Sequence, residues 1–124
     1  MPFTYQQSTG RFSRNGNLIG IGYSGHGPGV NNPAMEGVVG VGPIPAGAWT
    51  IGPAHFDGPL GPVVMNLDPV APFDALGRSA FRIHGDNDHL NHTASDGCII
   101  LGPDYRKQIA VAVAGGDNSL TVMA

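Results

Sequence analysis

Alternating apolar and polar residues divide the N-terminal part of the chain into short strands. The alternation predicts strands over 3–7, 11–14 and 17–23. Asn15-Gly16 joins the last two, and this dipeptide is the strongest two-residue signal for a β-hairpin because both residues tolerate positive φ. The sequence therefore predicts an N-terminal meander of strands.

The remaining apolar runs are short, and glycine or proline bounds most of them. They predict further strands over 48–51, 62–67, 79–84, 98–101 and 119–123. Many short strands separated by turn residues are typical of a β-sandwich or a barrel-like sheet.

Two segments carry helix signals. Asn32-Pro33 offers an N-cap followed by a first-turn proline, and it predicts a short helix over 34–39. Pro103 and Asp104 begin a longer C-terminal helix, which Gly115-Gly116 ends. The side chains expected to pack this helix on the sheet are Tyr105, Ile109, Ala112 and Val113. The predicted fold is mainly β, with one C-terminal helix and a short helix in the N-terminal half.

Composition narrows the class of protein. The 124 residues suffice for one domain, 1–124, with a single core. Glycine (20) and proline (11) are frequent, but 41% hydrophobic residues favour a folded, turn-rich β protein over disorder. Charged residues make up only 12%, and the net charge of -3 comes from scattered acids without a basic patch. This composition argues against nucleic acid as a partner.

The sequence shows no pattern of a membrane span or an export signal. It lacks an apolar stretch of about twenty residues. Residues 1–7 lack the charged start and apolar run of a signal peptide. We therefore expect a protein made in the cytoplasm, with no membrane partner. The single cysteine, Cys98, excludes an internal disulfide and leaves the redox compartment open.

The candidate chemistry lies between Arg82 and Leu101 and centres on Cys98. A free thiol has a pKa of about 8.5, so a nucleophilic cysteine needs a base or a cation beside it. His84 ends a predicted strand, and Cys98 opens the next one. We expect the two strand ends to face each other across a polar loop, 86–96, with His84 as the base for Cys98.

Backbone groups and one hydroxyl complete the predicted site. The amides of Gly97 and Cys98 are expected to hold a developing oxyanion. Gly85 follows His84 directly, and its carbonyl or that of another loop residue is expected to fix the tautomer of the imidazole. Ser95 is expected to orient the loop or to hydrogen-bond the substrate.

Three segments resemble, in their order, motifs of the L,D-transpeptidase catalytic domain. His84-Gly85 followed by Ser95-Asp96-Gly97-Cys98-Ile99 is similar to the His-Gly and Ser/Thr-x-Gly-Cys-Ile/Val signature of that family. Residues 42–51 resemble its strand entry, and residues 23–33 resemble the opening of the compact subgroup deployed as type VI secretion effectors. The resemblance covers about 23–101, and it implies the L,D-transpeptidase catalytic fold and an action on bacterial peptidoglycan.

Two positions depart from the family's motif. Many members carry a histidine before the Gly-Cys pair and an arginine two residues after the cysteine, where this sequence has Asp96 and Ile100. Asp96 would oppose the thiolate by like-charge repulsion, which makes His84 more necessary. Without an arginine at 100, Arg82 is the first candidate partner for a substrate carboxylate, since it shares a strand face with His84.

Further candidates for substrate binding border the same predicted cleft. The glycine-rich segment 24–32 is expected to form a flexible loop along the cleft. The candidates are Tyr23, His26 and Asp96, and Arg78 and Arg106 rank behind Arg82 for the carboxylate.

The resemblance implies a reaction and a setting. Cys98 would attack the L-centre carbonyl of a stem tetrapeptide and release D-alanine through an acyl-enzyme, without a cofactor. Resolution by water would make the enzyme an L,D-carboxypeptidase, and resolution by an amine a transpeptidase or an exchange enzyme. The effector subgroup implies an antibacterial toxin that acts in a target bacterium's periplasm, with a secretion apparatus and an immunity protein as partners.

Alternatives from other classes remain open. A lone cysteine is more often a small buried hydrophobe than a nucleophile, and the departures at 96 and 100 would suit a non-catalytic module that binds the cell wall. Zinc would accept a ligand set of His84, His89, His92 and Cys98, although their spacing is irregular. We predict no metal and expect His89 and His92 to be solvated loop residues, with either as an alternative base for Cys98.

Overall fold

Ten short strands and one α-helix make up the regular structure of the described residues. A computed structural model describes residues 3–58, 60–86, 95 and 97–124. The helix, α1, spans Pro103–Ala114, and no helix in these ranges has the length and apolar character needed to cross a bilayer. The strands are β1 (Phe3–Gln6), β2 (Arg11–Arg14), β3 (Asn17–Ile21), β4 (Tyr23–Ser24), β5 (Gly47–Ile51), β6 (His55–Asp57), β7 (Gly61–Pro69), β8 (Phe81–His84), β9 (Ile99–Ile100) and β10 (Ser119–Met123).

The strands form a nearly closed, barrel-like sheet. Their order is β3-β2-β1-β10-β5-β7-β8-β9-β4, and β6 pairs with β7 beside this path. The pairs β1 with β10 and β8 with β9 are parallel. Only Gly22 separates the two outermost strands, β3 and β4, along the chain. A Cβ atom at Gly22 would lie 1.8 Å from the carbonyl oxygen of Ile100, so glycine alone permits this close backbone crossing.

Aromatic side chains at the centre of the core fix the strand that carries His84. Trp49 packs edge to face on Phe73 at 5.5 Å and on Phe81 at 5.1 Å between ring centroids. This geometry adds to the free energy gained by burying the rings. Phe81 is the first residue of β8, so the core anchors the start of this strand. Other side chains of the core include Phe3, Tyr5, Phe12, Ile44, Ile51, Met65, Ile109 and Leu120.

The predicted fold class is confirmed, and several elements have the predicted bounds. The structure is mainly β with one C-terminal helix. Strands β2 and β10 span 11–14 and 119–123, as predicted. Asn15 (φ 52°) and Gly16 (φ 82°) both adopt the left-handed conformation that the hairpin prediction requires.

Two predictions about local structure were wrong, and one strand was missed. The strand predicted over 17–23 is interrupted at Gly22. The helix predicted over 34–39 is a single 3-10 turn, Pro33–Met35, because glycines at 37 and 40 disfavour a helix beyond the first turn. Strand β6 was not predicted.

The buried face of α1 also differs from the predicted one at its first turn. Tyr105 is 37% exposed, and its ring covers Gly20, where a Cβ atom would lie 2.4 Å from the ring. Arg106 is buried instead, and its Nη1 donates to the carbonyl oxygen of Pro62 at 2.9 Å. The rest of the predicted face is confirmed, since Ile109 and Ala112 are buried and Val113 is partly buried.

Candidate active site

Cys98 and His84 meet in one cavity because their strands are parallel neighbours. Ile83 pairs with Ile99 in the register of β8 and β9, and both of these side chains point into the core. Side chains alternate between the faces of a strand, so His84 and Cys98 lie on the other face, on either side of this pair. Both line a cavity of about 520 Å³. The structure thus brings the predicted base and nucleophile together.

The Cys98 thiol is half-buried and reaches the cavity. Its Sγ lies 3.7 Å from the carbonyl oxygen of Ala80, which is a long contact even for sulfur. Arg78, Phe81 and Arg82 line the same cavity. Two arginines beside a cysteine make a partly exposed, electropositive environment of the kind in which reactive thiols occur.

His84 is held as a neutral imidazole with a defined orientation. Its side chain is 3% exposed, and Nδ1 lies 2.8 Å from the carbonyl oxygen of Gly85. A proton on Nδ1 satisfies this carbonyl, which leaves the lone pair of Nε2 available as a base. Burial lowers the pKa of His84, and the charges of Arg106 and Arg82 lower it further, against the opposing effect of the Gly85 hydrogen bond. His84 is therefore suited to accept a proton at neutral pH.

The lowered pKa of His84 predicts a loss of stability in acid. As the pH falls below about 6.5, the unfolded chain binds the histidine proton first, so the free energy of unfolding decreases until the folded-state pKa is passed. His84→Gln is expected to remove this dependence, which amounts to at most about 1.4 kcal/mol per pH unit for one proton. Urea unfolding of both proteins between pH 7.5 and pH 5 measures it, and parallel curves would contradict it.

Ser95 holds the backbone around Cys98. Its buried Oγ accepts the N–H groups of Gly25 and Gly97, both at 3.0 Å, and donates to the carbonyl oxygen of Cys98 at 2.6 Å. Of the two roles predicted for Ser95, orienting the loop is the one that this geometry supports, since the residue is fully buried. The Gly97 amide is engaged by Ser95, which disfavours its predicted role as an oxyanion donor.

Sequence reasoning missed Ser24, the second buried hydroxyl at this site. Its Oγ accepts the N–H of Ile44 at 2.8 Å and donates to the carbonyl oxygen of Gly97 at 2.9 Å. The backbone N–H and C=O of Gly97 are therefore both hydrogen-bonded to buried serines. The only signal in the sequence is the position of Ser24 beside the glycine-rich segment predicted to border the cleft.

Gly97 occupies a position that no other residue fits without rearrangement. Its φ is +139°, in the region that L-residues rarely adopt. A Cβ atom here would lie 2.6 Å from Nη2 of Arg78 and 2.8 Å from Cε1 of Phe81. The backbone immediately before Cys98 thus packs directly on these two side chains.

The predicted substrate-binding residues divide between the cavity and the rest of the molecule. Arg82 is half-buried in the Cys98 cavity, where its guanidinium makes no hydrogen bond or ion pair with any described residue. Tyr23 lies elsewhere: its hydroxyl donates to Asp86 at 2.6 Å, and it lines a second cavity of about 490 Å³. His26 is exposed at the start of the 3-10 turn Gly27–Gly29. Neither Tyr23 nor His26 lines the cavity that holds Cys98, so their role in substrate binding stays a prediction, and Asp96 lies outside the described residues.

The predicted metal alternative finds no support in the described part of the chain. No three histidine, cysteine, aspartate or glutamate side chains gather there as a metal site would require. Two of the proposed zinc ligands, His89 and His92, lie outside the described residues.

Comparison with known proteins places the chain in a family. No curated protein and no solved structure is significantly similar to it. A family model described as the Tlde1 domain matches residues 20–122 of the 124. This match includes β8, β9 and the cavity that holds Cys98 and His84. Because it spans most of the chain, the protein belongs to the Tlde1 domain family of type VI secretion L,D-transpeptidase effectors.

Proposed function

We propose that this protein is a cysteine-dependent enzyme that removes or exchanges the terminal D-alanine of peptidoglycan stem tetrapeptides. The observation that supports it most directly is the meeting of Cys98 and a buried, neutral His84 in one cavity. Membership of an L,D-transpeptidase effector family supports the reaction class. We propose that the reaction needs no metal and no cofactor.

In the first step, Nε2 of His84 takes the proton of the Cys98 thiol. The sulfur attacks the carbonyl carbon of the residue with the L centre, which we expect to be meso-diaminopimelate. The amide C–N bond breaks, D-alanine leaves with the proton from His84, and a thioester joins the peptide to Cys98. The Gly97 amide is already hydrogen-bonded to Ser95, so we propose the Cys98 amide as the donor to the oxyanion.

The second step determines the type of enzyme. Attack of water on the thioester releases a tripeptide, which makes the enzyme an L,D-carboxypeptidase. Attack of a D-amino acid gives exchange, and attack of a stem-peptide amine gives a cross-link. In each case His84 takes the proton of the attacking group and returns it to the sulfur as the thioester breaks.

Arg82 is the proposed partner of a substrate carboxylate. Its guanidinium lines the cavity without a hydrogen bond to a described residue, so its donors face the space that the peptide would occupy. Arg82→Gln is expected to raise KM for a tetrapeptide about tenfold to a hundredfold, because a charge-assisted hydrogen bond contributes about 1.5–3 kcal/mol. Steady-state D-alanine release measures it, with the exposed Arg11→Gln on β2 as control. Equal KM values for the two variants would contradict this role.

We further propose the biological setting that the family suggests. The protein would be delivered by a type VI secretion apparatus and would act on the cell wall in the periplasm of a target bacterium. The producing cell would then need an immunity protein against it. These proposals rest on the family and on the substrate class. Expression of the wild type and of Cys98→Ala in the periplasm of a bacterium tests them, and we expect only the wild type to stop cell growth.

Product analysis of the wild-type protein tests the proposed chemistry. Purified disaccharide tetrapeptides are incubated with the protein, with and without an added D-amino acid, and are analysed by mass spectrometry. We expect a tripeptide product in water and an exchanged tetrapeptide when the D-amino acid is present. Unchanged muropeptides would refute the proposal, and binding to intact sacculi without any product would favour a non-catalytic wall-binding module.

A further inference from the structure

We propose that Arg106 is a positioning residue for the base: its guanidinium holds the backbone of Gly85 and, through that backbone, the orientation of the His84 imidazole. This inference rests on the proposed role of His84. Arg106 lies near the start of α1 and is 7% exposed. A charged side chain that is this deeply buried needs specific partners, and these partners define what it does.

The guanidinium of Arg106 packs on the α-carbon of Gly85. A Cβ atom at Gly85 would lie 2.9 Å from Nη2, 3.2 Å from Cζ and 3.5 Å from Nη1 of Arg106, and these are its three nearest neighbours outside the adjacent residues. Gly85 does not adopt a positive φ. The close approach of the arginine, and not the backbone conformation, is therefore what requires glycine at this position.

Gly85 connects this contact to the base. Its carbonyl oxygen lies 2.8 Å from Nδ1 of His84. A carbonyl oxygen only accepts hydrogen bonds, so this contact places the proton on Nδ1 and leaves the lone pair on Nε2. The orientation of the ring depends on where this acceptor lies, and the buried guanidinium fixes the backbone that carries it.

Arg106 is itself anchored to the start of β7, the strand that pairs with β8. Nη1 donates to the carbonyl oxygen of Pro62 at 2.9 Å and, over a longer distance of 3.4 Å, to that of Val63. Val63 has a φ of 58°, which is a genuine outlier for a β-branched residue. Such conformations persist where the surrounding contacts over-determine them, and they cluster at functional sites. Arg106 thus joins Gly85 to a strained segment of the adjacent strand.

The location of Arg106 separates it from the substrate. It lines the second cavity, of about 490 Å³, together with Gly85. The cavity that holds His84 and Cys98 has other lining residues, and Arg106 is not among them. Arg106 therefore acts on the base through the backbone, and the peptide bound at Cys98 does not touch it.

The charge of Arg106 supports the same role. Burial lowers the pKa of His84, and the charges of Arg106 and Arg82 lower it further. The Gly85 hydrogen bond and the charge of Asp57 on β6 act in the opposite direction. Only the neutral imidazole has a tautomer to fix and a lone pair that accepts the thiol proton. Arg106 thus favours the reactive form of the ring whose orientation it sets.

Nitrogen-15 NMR of the histidine side chains tests the proposal on the full chain, because a ring nitrogen with a proton and one without differ in chemical shift. The loss of signals in His84→Gln identifies those of His84. At pH 7.5 we expect the wild-type proton on Nδ1 and a mixture of tautomers in Arg106→Gln. Lys107→Gln removes an exposed charge at the next position of α1, and this matched control is expected to retain the wild-type signals.

A double variant tests the route through the backbone. Gly85→Ala and Arg106→Gln are each expected to lower kcat for D-alanine release about tenfold to a hundredfold, because misplacing a catalytic group by about 1 Å has an effect of this size. KM is expected to stay within about twofold of the wild type. The double variant is expected to lose little more than either single one, because the shorter glutamine leaves room for the methyl group.

Four results would overturn the proposal: a wild-type proton on Nε2, an Nδ1 proton fully retained in Arg106→Gln, losses in kcat that multiply in the double variant, or a raised KM with unchanged kcat. If Arg106→Gln does not fold, as judged by urea unfolding, the tautomer in Gly85→Ala decides, and wild-type signals there would overturn the proposal. NMR needs no substrate, so the expected mixture without D-alanine release by the wild type would refute the proposed function alone. D-alanine release with the Nδ1 proton retained in Arg106→Gln would refute the role of Arg106 alone.

Discussion

Cys98→Ala is expected to abolish the release of D-alanine from tetrapeptide muropeptides, with a loss of about a thousandfold or more. The reason is chemical: without the sulfur no thioester forms, and His84 has no proton to transfer. Stability is expected to change little, because the thiol is half-buried and lines the cavity rather than the core. Mass spectrometry of the products and urea unfolding of the variant measure the two effects separately.

Cys98→Ser is the matched variant, because it keeps a donor of similar size at the same atom position. A serine hydroxyl is a weak nucleophile without strong activation, so we expect a loss close to that of the alanine variant. Ser119→Ala, at an exposed position of β10, controls for effects of mutation and purification, and it should keep full activity. Release of D-alanine by Cys98→Ala at the wild-type rate would show that another residue forms the covalent bond.

The meeting of the two central residues could be predicted because it depends on local patterns. His84 ends an apolar run and is followed by glycine, whereas Cys98 opens another apolar run after glycine. Two strand ends of this kind face each other if the strands are neighbours, and β8 and β9 are. The sequence does not state that they are parallel neighbours, because strand order depends on the packing of the whole sheet.

The support around this pair could not be predicted, because it joins residues that are far apart in sequence. Ser24 reaches Gly97 across 73 positions, and Ser95 reaches Gly25 across 70. A serine near a glycine-rich segment has no periodicity or spacing that distinguishes a buried hydrogen-bonding role from an exposed one. Only the fold reveals that Ser24 binds the carbonyl of the Gly97–Cys98 peptide and that Ser95 binds the N–H of Gly97 and the carbonyl of Cys98 on either side of it.

The same limit applies to the three arginines considered for a substrate carboxylate, because only the location of Arg82 follows from a local pattern. Alternation along β8 predicts that Arg82 shares a face with His84, and both line the cavity. Arg78 precedes the strand, so alternation says nothing about its direction, and three carbonyl oxygens that it binds come from the segment 36–43. Arg106 occupies the buried face of α1 because Tyr105 fits over a glycine of β3, a pairing that helical periodicity does not encode.

Gly97→Ala is expected to lower both stability and activity, because Gly97 packs against Arg78 and Phe81 and directly precedes Cys98. The added methyl group must displace an arginine held by three carbonyls or an aromatic ring of the core, since both lie under 3.0 Å from it. We expect a loss of about 2–4 kcal/mol in the free energy of unfolding, from backbone strain and overpacking together. If the peptide moves instead, a shift of Cys98 by about 1 Å would reduce the rate of D-alanine release about a hundredfold.

Two other glycines separate the causes of this loss. Gly58→Ala adds the same methyl group in open space without a positive φ, and it is expected to be neutral. Gly16→Ala adds it in open space at φ +82°, so its cost of about 1 kcal/mol measures backbone strain alone. The excess of Gly97→Ala over Gly16→Ala in urea unfolding then measures the clash with Arg78 and Phe81 together with the greater backbone strain at φ +139°. A displaced arginine or peptide must alter either the free energy of unfolding or the rate of D-alanine release. Equal losses of stability in Gly97→Ala and Gly16→Ala, with unchanged D-alanine release in Gly97→Ala, would therefore show that the nucleophile does not depend on this packing.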